Sequence, residues 1–203
     1  MEVIADADVA SVAALMGDRA RCAMLTVRSS GRHRYYGLTG PLVAAAIEAL
    51  SLISPPVEAR SLRQSAAATA MAEARSCYDH LAGRAGIALR DTLLASGLLS
   101  ADGTRDFELT DRGIRFLEEL GLDPDPILRS RRMLARDCLD WTERKPHLAG
   151  ALPAALLARF LELGWLDRRR NDRGLTITNL GHANLPALGQ PSTTPGLLVR
   201  ASR

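Results

Sequence analysis

The stretch LTVRSSGRHRYYGL, residues 25–38, decides the fold of the N-terminal part of the chain. Two runs of apolar, aromatic and β-branched residues flank a polar tip containing Gly31, which is the pattern of a β-hairpin. The tip and its flanks carry Arg28, Arg32, His33 and Arg34. Arginines reach phosphates or a narrow minor groove, and a glycine at the bend lets the backbone approach closely. The stretch predicts a hairpin that contacts double-stranded DNA through these four residues; an ordinary solvated hairpin is the alternative.

The segments around this hairpin resemble a known family. The run ALMGDRARCAML, residues 14–25, is similar to the opening helix of ArsR-type repressors, where an Asp-x-x-Arg-x-x-Met-Leu pattern is common. Residues 31–38 resemble the wing of that family, and residues 41–52 resemble the helix after the wing, which supports dimerisation. The resemblance covers about the first quarter of the chain, and the remainder matches a long-form subset more loosely. It implies a homodimeric winged helix-turn-helix repressor that binds DNA and responds to an effector of unknown identity.

The chain departs from this family between Leu25 and Thr26. In the family, two short helices precede the wing, and the second reads the major groove. Here Met24-Leu25 runs directly into the first strand, which leaves no room for two helices. Either the chain has lost its recognition helix, or the sequence omits residues at this junction. We favour omission, because a basic wing has little use without a recognition helix, and sequencing the encoding DNA across Met24 to Arg28 decides the question.

Composition and charge narrow the class of protein. The chain has 203 residues and a net charge of +3, so it can bury a sizeable core and is not a polycation. No apolar run reaches the length of a membrane span, and the acidic start is unlike a signal peptide, so we expect a cytoplasmic protein without a membrane partner. No phosphate loop, nucleophile elbow or His-Glu-x-x-His helix is present, so we expect no enzyme.

The hydrophobic pattern predicts a mainly α fold with short β-hairpins. We expect a winged-helix DNA-binding and dimerisation domain over residues 1–54, incomplete as the sequence stands, a helical region with two winged-helix-like repeats over 55–190, and a tail over 191–203. Predicted helices span Asp8–Leu25, Leu42–Ile53, Ser61–Leu81, Ala85–Ser96, Ile127–Trp141 and Leu152–Leu163. The short helix after the wing is apolar on nearly all sides, which is typical of a helix that also packs on a partner chain.

The C-terminal region contains an internal repeat. The segment from Leu93 to Gly113 and the segment from Phe160 to Gly181 both read as a helix ending at glycine, a hairpin and a threonine-capped helix. The turn of the second copy, residues 167–173, is basic; it can touch phosphate, although a solvated loop is the simpler interpretation.

A second doubled pattern concerns residues that bind metals. Each copy supplies a cysteine, an aspartate two residues later and a histidine before Leu-Ala-Gly. If the copies pack with pseudo-two-fold symmetry, two thiols and two imidazoles converge, a set that suits zinc or another soft metal. A thiol-based sensor, or burial of the same residues as core packing and helix caps without any cofactor, are the alternatives. The candidate ligands are Cys77, His80, Cys138 and His147, with Asp79 and Asp140 as acceptors for the histidines.

Cys77 and His80 are three residues apart, so the predicted helix Ser61–Leu81 places them on one face. The third cysteine, Cys22, is expected to be buried without chemistry, and an odd cysteine count argues against a secreted disulfide framework. The leading interpretation is a DNA-binding transcriptional repressor. The alternative is a metal- or thiol-sensing interaction protein that no longer binds DNA.

Overall fold

A computed structural model of the chain describes residues 4–7, 24–54, 56–101, 103, 106–170 and 172–189. The chain divides into two compact units, Met1–Thr69 and Ala70–Arg203. The tail predicted for residues 191–203, Cys22 and most of the helix predicted for Asp8–Leu25 lie outside the described residues. Leu25 itself is the first residue of a strand.

The N-terminal unit contains the predicted hairpin. Strand β2 (Leu25–Ser30) pairs with β3 (His33–Leu38) in antiparallel register, with Leu25 opposite Leu38 and Ser30 opposite His33. Gly31, in the two-residue turn, has a φ of +58°, which glycine adopts without the steric cost of a Cβ. The predicted hairpin is therefore confirmed.

A helix and a small sheet complete the described part of this unit. Helix α1 (Pro41–Ile53) confirms the helix predicted for Leu42–Ile53, and its proline lies in the first turn, where no amide hydrogen bond is lost. The Oγ atom of Ser54 donates to the carbonyl of Leu50 at the end of α1. Strand β1 (Ile4–Ala7) pairs antiparallel with β4 (Pro56–Glu58).

The C-terminal unit is built from two copies of one pattern: an inner hairpin, a helix, an outer hairpin and a capped helix. It is entered through helix α2 (Leu62–Glu73), which crosses the boundary between the units. The first copy consists of β5 (Arg75–Cys77), β6 (His80–Ala82), α3 (Arg84–Ala95), β7 (Leu99–Ala101), β8 (Asp106–Leu109) and α4 (Asp111–Glu119). After α5 (Pro124–Leu128), the second copy consists of β9 (Ala135–Leu139), β10 (Pro146–Ala149), α6 (Ala151–Glu162), β11 (Leu166–Arg168), β12 (Leu175–Ile177) and α7 (Asn179–Asn184).

Matching hydrogen bonds occur at equivalent positions of the two copies. The side chains of Thr110 and Thr178 accept from the amides of Gly113 and Gly181 and so cap α4 and α7. A Cβ on either glycine would overlap a backbone carbonyl oxygen that precedes the outer hairpin of its copy. In both copies, the missing side chain at this glycine lets the capped helix pack closely against the outer hairpin.

The two copies exchange hairpin contacts. The inner hairpin of the second copy extends the outer hairpin of the first into one sheet of order β10-β9-β8-β7, in which Phe107 lies opposite Ala135. The inner hairpin of the first copy meets the outer hairpin of the second through an antiparallel bridge between Arg75 and Gly174. One continuous core with leucines and aromatics from both copies fills the space between them. The inner hairpins thus face each other around a pseudo-two-fold relation.

The prediction of a mainly α fold is wrong, because short strands alternate with the helices along the described chain. The helix predicted through Leu81 ends at Glu73, and Tyr78 sits at a φ of +57° in the turn of a hairpin. The helix predicted for Ile127–Trp141 is instead a short α5 followed by β9. Strand β5 bridges Gly174, and strand β9 pairs with β8. Local periodicity does not register such pairing with residues distant along the chain.

Candidate metal centre and basic hairpin

The four predicted ligands occupy equivalent places in the two inner hairpins. Cys77 lies directly opposite His80 in the β5–β6 pair, and Cys138 lies directly opposite His147 in the β9–β10 pair. Directly opposite residues of an antiparallel pair project from the same face. Each hairpin therefore presents one thiol beside one imidazole. The prediction that Cys77 and His80 share a helix face is wrong, although they do share a face of a hairpin.

The packing of the two copies brings these faces together. One ligand atom from each of the four residues lies within 4.8 Å of every other one. The imidazole rings of His80 and His147 are stacked, with centroids 5.2 Å apart and an interplanar angle of 29°. Cys77 and both histidines are buried, whereas Cys138 is half-buried. The doubled sequence pattern thus corresponds to one compact cluster inside the C-terminal unit.

The histidine nitrogens are arranged unequally. The Nδ1 atom of His80 lies 3.3 Å from the Oδ1 atom of Asp79. The Nδ1 atom of His147 lies 3.7 Å from the Oδ2 atom of Asp140, beyond hydrogen-bond distance. The buried Nε2 atoms of both histidines and Nδ1 of His147 have no hydrogen-bond partner within the described part of the chain. Buried polar atoms normally have a hydrogen-bond partner, a bound water or an ion.

The surroundings within the cluster favour the charged forms of Cys138 and His80. The Cys77 thiol, followed by the imidazoles of His147 and His80, holds the pKa of Cys138 far below its ordinary value, although burial opposes this. Burial by itself would lower the pKa of His80, but Asp79 and Cys138 raise it overall. A thiolate is the form of cysteine that binds metals and acts as a nucleophile. The surroundings of Cys138 therefore favour its thiolate form beside the two imidazoles.

A buried ion pair supports the second-copy half of the cluster. The Nη2 atom of Arg75 donates to Oδ2 of Asp140 at 2.8 Å, and both side chains are fully buried. The same oxygen accepts from the amide of Gly83, while Oδ1 accepts from the amide and the hydroxyl of Thr142. Burial alone would raise the pKa of Asp140, but Arg75 and these donors outweigh it and lower the pKa to about 2. Asp140 is thus an ionised anchor next to His147.

The equivalent aspartate in the first copy has a different partner. Arg132 donates to both carboxylate oxygens of Asp79, at 2.6 Å and 3.2 Å, and both residues remain partly exposed. Both aspartates follow from the doubled sequence pattern, whereas Arg75 and Arg132 do not. The available signal for Arg75 was its place two residues before Cys77, because such residues share one face of a strand.

The basic hairpin lies in the other unit, and all four predicted DNA contacts are exposed there. Arg28, Arg32, His33 and Arg34 cluster at the tip of β2–β3. Toward its base, one face of the hairpin is apolar, since Val27 lies opposite Tyr36 and the two are 56% and 63% exposed. The hairpin thus combines a basic tip with an apolar face that is exposed among the described residues.

Comparison with known proteins identifies the family. The chain is 40% identical over 158 residues to a protein of Bacillus subtilis (strain 168) described as an uncharacterized HTH-type transcriptional regulator, YdfF. The matched part covers 78% of this chain and 70% of that relative. The chain belongs to the HTH-type transcriptional regulators. As a member of this family it is a DNA-binding transcriptional regulator.

No family model and no solved structure matches the chain. Within the described part of the regulator, no helix is both long and apolar enough to cross a membrane.

Proposed function

We propose that this regulator is a cytoplasmic homodimeric repressor that binds double-stranded DNA through the tip of the β2–β3 hairpin. The observation that carries the proposal is the exposed cluster of Arg28, Arg32, His33 and Arg34 on a hairpin, in a chain of the HTH-type family. Guanidinium groups at a hairpin tip contact phosphates and the minor groove, which gives affinity without reading bases in the major groove.

The similarity to ArsR-type repressors supports the same assignment. Residues 31–38 resemble the ArsR wing and form strand β3 with its turn, while residues 41–52 resemble the helix after the wing and lie in α1. Leu42 on α1 is 79% exposed, and Val43, Ile47 and Leu50 are only half-buried within one chain. We assign these four residues to the dimer interface, where a second copy removes their apolar surface from water.

A second candidate function rests on the junction before the hairpin. Met24 leads directly into β2, so the segment from Met24 to Leu38 contains no helix that can read the major groove. Among the described residues, the apolar face around Val27 and Tyr36 is exposed. If the chain as it stands is complete at this junction, it is a sensor that keeps a wing without a reading helix.

Salt-dependent DNA binding separates the two candidates. Fluorescence anisotropy of the full-length protein with a duplex from its own promoter, and with an unrelated duplex, gives affinity at several salt concentrations. Replacing Arg32 and Arg34 by alanine removes two phosphate contacts and flattens the slope of log K against log salt by about 1.8. The loss is expected to be equal for both duplexes, because phosphate contacts carry no sequence information.

A matched control keeps the change in net charge constant. Arg60 and Arg63 are exposed and lie outside the hairpin, so the variant Arg60→Ala/Arg63→Ala also removes two positive charges. Its salt slope should equal that of the unaltered protein. Equal slopes for all three proteins would refute the hairpin assignment, and undetectable binding to either duplex at low salt would favour the sensor.

A further inference from the structure

We propose that the cluster of Cys77, His80, Cys138 and His147 binds one divalent cation of the zinc class in tetrahedral coordination. All four residues lie in the C-terminal unit, two on each inner hairpin. The proposal concerns metal binding itself and does not depend on the DNA-binding role of the other unit.

The donor set matches this class of cation. Two sulfur and two nitrogen ligands are a common structural zinc set, and two thiolates neutralise a divalent charge, which keeps the buried site free of net charge. Hard cations such as calcium and magnesium prefer oxygen ligands, which are absent among these four residues. The chemistry therefore selects zinc and its close analogues.

The separations are close to those of an assembled site. Zinc–sulfur bonds of about 2.3 Å and zinc–nitrogen bonds of about 2.0 Å place tetrahedral ligand atoms roughly 3.3–3.8 Å apart. The four ligand atoms lie within 4.8 Å of one another, so closure around an ion requires a contraction of at most about 1.0–1.5 Å between any two of them.

The orientation of the histidines supplies an independent argument. The Nδ1 atom of His80 lies 3.3 Å from Oδ1 of Asp79, whereas Nδ1 of His147 lies 3.7 Å from Oδ2 of Asp140, beyond hydrogen-bond distance. A metal-bound histidine usually gives its second nitrogen to a carboxylate, as His80 does to Asp79. The Nε2 atoms of His80 and His147 are buried without hydrogen-bond partners among the described residues. A cation bound to both Nε2 atoms removes the cost of leaving them unsatisfied.

A disulfide between Cys77 and Cys138 explains less of the site. It requires an external oxidant, and it leaves both buried Nε2 atoms unsatisfied. A metal ion engages all four side chains at once. Since a bound ion has four protein ligands and no open position, we assign it a role in joining the two inner hairpins and none in catalysis.

Cobalt substitution provides the test. The full-length protein is purified under reducing conditions, stripped with a chelator and titrated with Co²⁺ alone. We expect one equivalent of cobalt to give the intense d–d bands of tetrahedral coordination and a thiolate-to-cobalt charge-transfer band, both abolished by one equivalent of Zn²⁺. The variants Cys138→Ser and His147→Gln should lose the tetrahedral spectrum, with circular dichroism verifying their fold.

Matched controls use the cysteine and a histidine outside the cluster. Cys22→Ser removes a thiol, and His182→Gln removes an exposed imidazole of α7, and both should retain the cobalt spectrum. X-ray absorption of the unaltered zinc-loaded protein needs no variant and should show two sulfurs at about 2.3 Å and two nitrogens at about 2.0 Å. A folded, reduced protein that gives no tetrahedral cobalt spectrum, or a zinc shell of oxygen, would overturn the proposal.

Discussion

The variant Asp140→Asn tests whether the buried ion pair with Arg75 holds the C-terminal unit together. In the native protein, Oδ2 accepts from Arg75 and Gly83, and Oδ1 accepts from two groups of Thr142. Asparagine has the same shape, but one of these oxygens becomes an NH₂ group that faces donors. The fully buried guanidinium also loses its counter-charge. Removing one partner of a buried pair costs about 3–5 kcal/mol, because the remaining charge stays buried.

The pseudo-symmetric aspartate provides the matched control. Asp79 follows Cys77 as Asp140 follows Cys138, but its side chain is 31% exposed and that of Arg132 is 37% exposed. The variant Asp79→Asn should therefore cost about 0–1 kcal/mol, as is usual for solvated ion pairs. The same chemical change at two equivalent positions thus separates burial from the loss of a carboxylate.

Thermal and urea unfolding of chelator-treated protein measure the difference. A loss of 3–5 kcal/mol in a unit of this size lowers the melting temperature by roughly 10–20 °C, whereas Asp79→Asn should lower it by a few degrees at most. Equal and small effects of both variants would refute the argument that Asp140 and Arg75 form a desolvated pair. Equal and large effects of both variants would show that the loss of stability does not arise from the burial of the ion pair.

The pH dependence of stability offers a second measurement on the same pair. The pKa of Asp140 falls from its ordinary value of 3.8 to about 2 in the folded protein. A lowered pKa stabilises the fold fully above the unfolded value, and this stabilisation disappears as the pH falls from about 4 to about 2. It amounts to about 2 kcal/mol. The unaltered protein should lose this increment on acidification, and Asp140→Asn should not.

Three further predictions follow from other parts of the structure. Zinc at 100 times its dissociation constant should stabilise the unaltered protein by about 3 kcal/mol in thermal unfolding, and Cys138→Ser should show no such gain. Ile47→Glu should convert the dimer to a monomer in analytical ultracentrifugation, because an unpaired charge is costly to bury. A glutamate introduced at an exposed alanine of α2 should leave the dimer intact. A monomeric unaltered protein at micromolar concentration would contradict this prediction. Gly181→Ala should destabilise the C-terminal unit by about 2 kcal/mol, because the added Cβ overlaps the carbonyl oxygen of Trp165. Gly40→Ala should change the stability very little, because nothing lies within 4 Å of the added Cβ.

Local signals in the sequence predicted the elements that depend on local chemistry. The Gly31 turn, the proline at the start of α1 and the threonine caps of α4 and α7 each follow from the preference of one residue type. The strands of the inner hairpins did not follow in this way. The segment from Ala74 to Leu81 continues an alanine-rich helical pattern, yet it forms a hairpin in which β5 pairs with β6 and bridges Gly174 of the other copy, and helical periodicity does not register this pairing.

The comparison of the two copies succeeded where periodicity failed. Helical spacing predicted the wrong secondary structure for Cys77 and His80, yet the doubled Cys…His-Leu-Ala-Gly pattern predicted that the four residues lie at matching points of two related halves. The structure brings those points together. Arg75 and Arg132 could not be assigned from the sequence, because each reaches its aspartate from a distant segment of the chain.

The duplication explains why this cluster contains four candidate ligands. One inner hairpin offers one cysteine and one histidine, which cannot complete a tetrahedral site. The exchange of hairpins between the copies places the second pair opposite the first, so the cluster forms only when both copies are folded against each other. Arg75 lies in β5, two residues before Cys77, and Asp140 directly follows β9. The buried Arg75–Asp140 pair therefore links the two inner hairpins on which the four candidate ligands lie, whereas the Asp79–Arg132 pair is partly solvated.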